Sequence, residues 1–480
     1  MTSSSAQSTD SVLAKVSREI VPLGKVATIV SGFGFPKELQ GNTEGALPFF
    51  KVGDISAAWN SGRQLLTTAQ HYLSEEEAKS IKARAFPKGT IVFAKIGEAI
   101  KLNRRAILGQ PALVDNNVMG LIPDYEVVDH RYLFYWALTQ KLGDISQATT
   151  VPSIRKSDVE ELKFPLVHVD QQKRIVAEIE KQFSRLDEAV ANLKRVKANL
   201  KRYKAAVLKA AVEGRLVETE AELARREGRN YETGTKLLQR ILETRRSQWK
   251  GKGKYKEPAA PDTTDLPELP EGWVWATADQ LAEKITDGEH ISPVLLPSGV
   301  PLLSAKDVRD FGVLFEDAKY VSPDDATRFR GRCDPDRGDI LIVSRGATVG
   351  RACRVNVDQK ICLMGSVILM KLHKLLESNY ALFALKAGFF LTRLTAVSGS
   401  TAQQAIYIRD IRPLPLPLPP FVEQQRIVAE VDRRLSLVRE VDEQVDANVK
   451  RAERLRQSIL AKSFSCHDSM CIKVETLSYG

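Results

Sequence analysis

The sequence predicts an α+β protein: two tandem mixed α/β domains, separated and followed by long α-helices that pair as an antiparallel coiled coil. Three observations carry that expectation: an internal repeat spaced about 252 residues apart, short β-branched runs bracketed by glycine in each copy, and a heptad pattern after each copy. Composition agrees. The 480 residues are 43% hydrophobic and 27% charged, outside the low-hydrophobicity regime of disordered chains. A chain of this length is expected to hold about two to four domains.

The repeat comes first, because a missed repeat misassigns the whole fold. IRKSDVEELKFPLVHVDQQKRIVAE, from Ile154, lies on IYIRDIRPLPLPLPPFVEQQRIVAE, from Ile406, with 11 of 25 positions identical. They include Gln172/Gln424, Arg174/Arg426 and the run Ile175–Glu178 on Ile427–Glu430. Further upstream the offset drifts by a few residues, as small loop insertions would produce, pairing Gly89 with Gly338, Gly97 with Gly346, Tyr72 with Tyr320 and Asp54 with Asp307. The protein is therefore read as two copies of one unit, each a mixed domain of about 145 residues followed by a helix.

Within the domains, FPKGTIVFAKIG from Phe86 and PDRGDILIVSRG from Pro335 read as buried strands between turns. After Val176, the residues Val176, Phe183 and Val190 recur every seven positions, interleaved with Ile179, Leu186, Leu193, Leu200 and Val207. That is a heptad seam on a helix from about Asp170 to Val212. The second copy repeats it more weakly through Val428 and Leu435, then Val431, Val438, Val445 and Ile459, and Asp442 interrupts it. Each seam needs an apolar partner, so the two helices are expected to pack on each other, with the domains at opposite ends of the rod. PLPLPLPP from Pro413 occupies the place of FPLVHV in the first copy, so it is read as a rigid, extended lead-in to the helix rather than a proline-rich ligand.

These boundaries give a disordered N-terminal tail (1–20), a first domain (21–168), a central helical spacer with a basic linker (169–255) and a Pro-rich linker (256–270). A second domain (271–420), a distal helical spacer (421–465) and a C-terminal tail (466–480) follow. The formal charge of +10 arises from 70 basic and 60 acidic residues, and it is not evenly spread. Residues 194–256 alone hold 19 Lys/Arg against seven Asp/Glu, so both repeat units are close to neutral. The basic stretch, with Trp249 and Tyr255 between its lysines, is read either as a phosphate-contacting surface or as a solvated face running into a flexible linker.

The search for catalytic motifs excludes several classes. There is no GxxxxGK[ST] loop and no [ND]PP[FYW] run, and the GFG at Gly32–Gly34 is read as a turn. Pro335, Asp336, Asp358 and Lys360 resemble the metal-dependent nuclease arrangement, yet Asp336 falls on Pro87 and Asp358 on Gly109 in the other copy, which makes them turn residues of a shared scaffold. The five cysteines form no CxxC pair, and Cys466, His467 and Cys471 sit in a short Ser-rich terminus read as disordered rather than metal-binding. The opening MTSSSAQSTD has no basic start and apolar core, and no stretch approaches the roughly 20 apolar residues of a membrane span. The expectation is a cytoplasmic protein without a membrane anchor.

Two tandem domains of this size resemble the specificity subunit of type I restriction-modification enzymes. Each ends in a proline-containing segment (LKFPLVHVDQQKRIVAEIE and LPLPLPPFVEQQRIVAEVD) with a heptad helix behind it. The match covers nearly the whole chain, and LPELPEGWVWATADQLAEKITDG from Leu266 is similar to the opening of a target-recognition domain in that family. The first copy departs from it, beginning IVPLGKVATIVSG, and the tail after Phe464 is extra.

The resemblance implies a non-catalytic reader of double-stranded DNA. Each target-recognition domain would bind one half of a split, asymmetric site, and the helices would set the gap and dock two modification subunits. Restriction subunits would add translocation and cleavage. S-adenosylmethionine, ATP and Mg²⁺ are expected on those partners and none on this chain. A helix of about 60 Å suits a spacer between half-sites about 34 to 36 Å apart. The rival classes are a coiled-coil interaction protein with no DNA target, and a self-contained methyltransferase or nuclease, which the missing motifs disfavour.

Candidate DNA-binding residues are Ser31, Lys51, Asp54, Lys95 and Asn117 in the first copy, and Ser304, Lys306, Asp307, Arg345, Thr348 and Ser366 in the second. All lie in glycine-flanked loops, where Arg345 suits guanine O6 and N7 and Asn117 suits adenine. The competing role for each is a solvent-facing loop residue or a strand cap. Gln172, Arg174, Gln424 and Arg426 at the helix starts are read as structural or subunit-docking positions.

Overall fold

The computed structural model describes residues 18–147, 151–251, 253–397 and 405–465. Most of the N-terminal tail, Lys252 and the C-terminal Cys466, His467 and Cys471 lie outside the described residues. The chain divides into two compact units, residues 1–194 with 446–480, and residues 195–445. Both are mixed α/β.

In unit 1, ten strands follow in order: β1 (Glu19–Pro22), β2 (Ala27–Ser31), β3 (Leu47–Phe50), β4 (Leu65–Leu66), β5 (His71–Leu73), β6 (Ile91–Ala94), β7 (Arg105–Leu108), β8 (Leu113–Val114), β9 (Val118–Pro123) and β10 (Lys163–Leu166). They form a five-stranded sheet in the order β2-β9-β6-β7-β4, a three-stranded sheet β5-β3-β8 and the antiparallel pair β1-β10. The run predicted at Phe86 is β6, and all four of its residues are buried. Ile91 and Phe93 enter one core with Ile29, Met119 and Tyr132, whereas Val92 enters another with Phe50, Ala106 and Val118. Burial on both faces is why this strand shows no polar alternation.

The first core is closed by the helix His130–Thr139, whose N-cap Asp129 accepts the backbone N–H groups of Arg131 and Tyr132. The helix stops at Gln140, which turns to an extended conformation. It buries Tyr132, Phe134, Tyr135 and Trp136, and truncating a buried tryptophan such as Trp136 costs about 3–5 kcal/mol.

Unit 2 repeats this plan. Its strands are β11 (Val274–Thr277), β12 (Ala282–Asp287), β13 (Val300–Leu303), β14 (Val308–Arg309), β15 (Gly312–Val313), β16 (Lys319–Val321), β17 (Ile340–Val343), β18 (Ala352–Arg354), β19 (Cys362–Leu363), β20 (Val367–Leu372) and β21 (Pro415–Leu418). The sheets are β12-β20-β17-β18, β16-β13-β19 and the pair β11-β21. The parallel contact of β3 with β8 through Phe49 and Leu113 recurs as Leu302 on Cys362. One difference stands out: the hairpin β14-β15 lies beside β18, where unit 1 has β4 parallel to β7.

Both heptad stretches are single helices of 44 residues, Val169–Val212 and Phe421–Phe464. They run antiparallel within each unit. In unit 1, Arg456 stacks on the Phe183 ring at 4.5 Å and pairs with Asp187, and Leu460 and Phe464 share a core with Ile175, Val176 and Ile179. In unit 2, Lys197 reaches Asp442 at 3.7 Å, while Val207, Leu208 and Ala211 pack with Ile427 and Val431. The charge that interrupts the seam therefore has a cation across from it. Arg18 donates to the carbonyls of Ser463 (2.8 Å) and Ser465, capping the end of the distal helix with a cation.

The repeated motif at the helix starts has a structural cause. Gln172 is fully buried; its Oε1 accepts the N–H of Asp129 at 2.8 Å and its Nε2 donates to the carbonyls of Val127 and Val167, both at 2.8 Å. Gln424 accepts from the N–H of Glu377 at 3.0 Å and donates to the carbonyl of Pro419 at 2.9 Å. Asp129 and Glu377 are the N-caps of corresponding helices, so each glutamine fastens a long helix to its own domain. The prolines before them also repeat a bond: the hydroxyls of Tyr132 and Tyr380 donate to the carbonyls of Pro165 and Pro417 at 2.8 and 3.1 Å.

The basic segment holds two further helices, Glu220–Glu227 and Gly234–Ser247. The Pro-rich stretch, read from sequence as a flexible linker, lies against unit 2. Thr277 donates to the carbonyl of Ala259 at 2.9 Å, Trp275 Nε1 donates to that of Pro267 at 3.2 Å, and Arg246 holds Glu257 at 2.6 Å. Proline-rich sequence lacks backbone donors, so side chains of β11 supply the bonds that a ladder would.

Candidate nucleic-acid interface

Strands β2 and β6 both run antiparallel to β9, so they are parallel to one another. Their C-terminal ends therefore meet the N-terminal end of β9 at one sheet edge. Ser31 closes β2, Lys95 follows β6 and Asn117 precedes β9, so topology brings these three candidates together. Lys95 Nζ donates to Ser31 Oγ at 3.0 Å, and the backbone N–H of Lys95 donates to the carbonyl of Asn117 at 2.9 Å. The amide of Asn117 is turned to Asp115 Oδ2 at 3.3 Å, within the turn that enters β9.

Two glycines make this edge possible. A Cβ on Gly32 would sit 2.1 Å from the carbonyl oxygen of Asp115, and one on Gly288 would sit 2.2 Å from that of Leu363. The turn after β6 needs φ of +84° at Gly97, and the turn after β17 needs +96° at Gly346, which favours glycine at both. From Gly97 and Gly346 the backbone is tied onward: Ile154 N–H donates to the carbonyl of Lys95 at 2.9 Å, and Ile406 N–H to that of Ser344 at 2.8 Å.

The Lys51 and Ser304 loops adjoin the same edge, since Asp115 N–H donates to Phe50 at 3.0 Å and Ala305 N–H donates to Ser366 Oγ at 3.2 Å. Here the carboxylates serve the backbone. Asp54 accepts the N–H of Lys51 at 2.7 Å, and buried Asp307 accepts both the N–H and hydroxyl of Ser304 at 2.8 and 2.9 Å. Lys51 Nζ donates to Gln40 at 2.8 Å and lies 4.9 Å from the Phe35 ring centre, while Lys306 Nζ donates to the carbonyl of Asp317 at 2.8 Å. Thr348 is half-buried in the turn that returns to Arg351.

Arg345 is exposed, with its guanidinium 6.0 Å from the centre of the Tyr407 ring. Sequence reasoning missed Tyr407, along with Arg409, whose guanidinium lies 4.8 Å from the same ring. With Asp287, the last residue of β12, they line a recess of about 240 Å³. A usable signal existed: Tyr407 directly follows Ile406, the first identical position of the repeat, and Asp287 precedes Gly288 as Ser31 precedes Gly32.

The helix-start candidates differ among themselves. Gln172 and Gln424 are wholly buried, whereas Arg174 is exposed and Arg426 pairs with Glu220 at 2.6 Å. The nuclease-like carboxylates have separate partners: hydrogen bonding from Lys371, with Arg330, holds Asp336 below the usual carboxylate range, and Arg337 does the same for Asp358. Among the described residues, no group of three His, Cys, Asp or Glu is placed to hold a metal, and no helix is long and apolar enough to cross a membrane.

The sequence model of the type I restriction modification DNA specificity domain matches residues 16–202 and 299–445. The chain is 22% identical over 461 residues to the EcoBI type I restriction enzyme specificity subunit of Escherichia coli, covering 92% of this chain and 85% of that one. A chain from a type I R-M system solved to explain complex assembly and conformational transition superposes with a TM-score of 0.63 at 18% identity, covering 94% of this chain and 98% of the other. The HsdS subunit from Thermoanaerobacter tengcongensis superposes with a TM-score of 0.52, also at 18% identity, covering 94% and 97%. The duplicated sequence, the duplicated sheets and the two matched segments agree, and the chain belongs to the type I restriction modification DNA specificity domain family.

Proposed function

We propose that this chain is the DNA-reading subunit of a type I restriction-modification complex, each unit reading one half of a bipartite, asymmetric target. The observation that carries the reading is the repeated sheet edge, which keeps one backbone arrangement in both units and presents different side chains on it: Lys95 and Asn117 in one, Ser344 and Ser366 in the other. Phosphate contacts would position each unit, and a few loop side chains would read base edges. The long helices set the gap between half-sites and dock two modification subunits, with restriction subunits completing the complex in the cytoplasm. The chain itself contributes recognition and no bond-making step; S-adenosylmethionine, ATP and Mg²⁺ belong to the partners.

Of the sequence candidates, Ser31, Lys51, Lys95, Lys306 and Arg345 are assigned to DNA contact, with Asn117, Thr348, Ser304 and Ser366 shaping the loops. Asp54 and Asp307 are assigned to capping, and Gln172 and Gln424 to the helix anchor. Arg174 is the better placed docking residue because its side chain is exposed. The test is methylome sequencing of the source strain with and without this gene. A bipartite methylated motif that disappears with the gene is expected; an unchanged methylome, or no complex on co-expression with modification subunits, overturns the reading.

A further inference from the structure

We propose that the recess of Arg345, Tyr407, Arg409 and Asp287 in unit 2 is a base-reading site for guanine, with the Arg345 guanidinium donating to O6 and N7. The inference rests on the DNA-reading function proposed above and gives it a residue and a base.

Arg345 stands on a fixed base. Its neighbour Ser344 is tied on both sides, donating through its N–H to the carbonyl of Ser366 at 2.9 Å and accepting the N–H of Ile406 at 2.8 Å. Arg345 itself bridges Ala405, and Gly346 follows at φ +96°. Among the described residues, no carboxylate lies within ion-pair distance of Arg345, so its planar fork of donors has no anionic partner. The contrast with its neighbours is direct: Arg409 lies 3.6 Å from Asp410, and Arg332 holds Asp287.

Tyr407 supplies the orientation. Tyr407 is 44% exposed, and the guanidinium carbons of Arg345 and Arg409 lie 6.0 and 4.8 Å from its ring centre. A ring face at this distance attracts a guanidinium and favours one side for it, which helps present a fork of donors to two acceptors of one base. Asp287 does not repel an approaching polyanion with a free charge, because His290 Nε2 lies 2.8 Å from one carboxylate oxygen and Arg332 binds the other.

A phosphate would satisfy Arg345 equally well by charge. Three features favour the base: the aromatic ring beside the fork, the apolar Ile368 and Ile406 in the wall, and the comparison between units. Unit 1 keeps the bridge, between Ile96 and Ser153, and the bond from Ile154 to Lys95 at 2.9 Å. It has Ile96 where unit 2 has Arg345, and Arg155 where unit 2 has Tyr407. A general phosphate contact would be wanted in both units, whereas a base contact would differ between the halves of an asymmetric target. Tyr407 is a positioning residue in this scheme.

The test uses the full chain in complex with its modification subunits, selecting from a duplex library randomised over the bipartite target. With R345Q, preference for one guanine in one half-site should fall about tenfold, with the other half-site unchanged. Replacing that guanine by 7-deazaguanine should weaken the unaltered complex about tenfold and should add nothing in R345Q. Y407F should keep the preference and Y407L should lose it. If R345Q weakens all sequences equally, the contact is to phosphate and the proposal falls; if the preference is untouched, it falls as well. Should R345Q fail to assemble, the 7-deazaguanine series on the unaltered complex decides, since no loss at any guanine overturns the assignment. Failure of the unaltered complex to select any bipartite motif would instead sink the functional reading itself.

Discussion

Replacing Gln172 by leucine separates a structural anchor from a docking residue. Gln172 is fully buried and makes three hydrogen bonds of 2.8 Å, to the N–H of Asp129 and the carbonyls of Val127 and Val167. Leucine fills a similar volume and removes all three partners at once. A buried polar group left without a partner costs about 1–3 kcal/mol, so three such groups, partly offset by the apolar side chain, should destabilise unit 1 by about 4 kcal/mol. Gln424→Leu removes only two bonds, at 3.0 and 2.9 Å, and should cost unit 2 about 2–3 kcal/mol. With two units in the chain, a single unfolding midpoint is ambiguous, so hydrogen exchange should be read separately over residues 118–139 and 367–386. The expected result is lost protection in the unit that carries the substitution, larger for Gln172. If Gln172→Leu costs less than about 1 kcal/mol there and instead abolishes assembly with modification subunits, the anchor reasoning is refuted.

Three other outcomes are expected. Asp442→Leu should raise the stability of unit 2 by about 1 kcal/mol in denaturant titration, because the 3.7 Å pair with Lys197 is half-exposed and worth little, whereas leucine continues the seam. Burial pushes the thiols of Cys333 and Cys353 up to about 12 and that of Cys362 to about 11, so all three should resist thiol reagents at neutral pH until the chain unfolds. Since the unfolded chain releases those protons near pH 8.5, stability should decline as pH rises above that value; a native chain that labels rapidly at pH 7.5 contradicts this. Changing Lys250, Lys254 and Lys256 together to glutamine should flatten the salt dependence of DNA binding by about 0.9 log units per lost phosphate contact, with the selected sequence unchanged. Lost subunit assembly with an unchanged salt slope would place the basic segment against a partner instead.

The parts of this fold legible in the sequence were those with a period or a duplicate. The seam through Val176, Phe183 and Val190 placed a helix from about Asp170 to Val212, and the helix is Val169–Val212. Glycine-bracketed runs located β6 and β17, because strands buried on both faces need continuous apolar sequence. What stayed illegible depended on tertiary partners. The Pro-rich stretch has the composition of a free linker, and only the hydrogen bonds from Trp275 and Thr277 show it held. The buried role of Gln172 was equally hidden, since its partners lie 45, 43 and five residues upstream. At the candidate site, loop position could be read but side-chain engagement could not. Asp307 looked like a reader and is bonded to Ser304, whereas Tyr407 was marked only by its place after Ile406 in the repeat.

The duplication also sorts residues without any external comparison. Positions identical in both copies are mostly internal fasteners: Gln172 and Gln424, Tyr132 and Tyr380, Gly97 and Gly346. Positions that share a backbone bond pattern but differ in side chain sit at the sheet edge: Lys95 against Ser344, Ile96 against Arg345, Arg155 against Tyr407. A scaffold built this way can exchange edge side chains at small energetic cost, because exposed loop residues contribute within about 0.5 kcal/mol to stability, while the fasteners cannot change without leaving buried groups unpaired. On the reading proposed above, recognition of a new half-site therefore requires substitutions only at the second class. Exchanging Ile96 for arginine and Arg155 for tyrosine in unit 1 should leave its stability within about 1 kcal/mol while altering the bases selected in its half-site alone. A large loss of stability would mean that the edge is part of the core, and that the division between fasteners and readers is drawn in the wrong place.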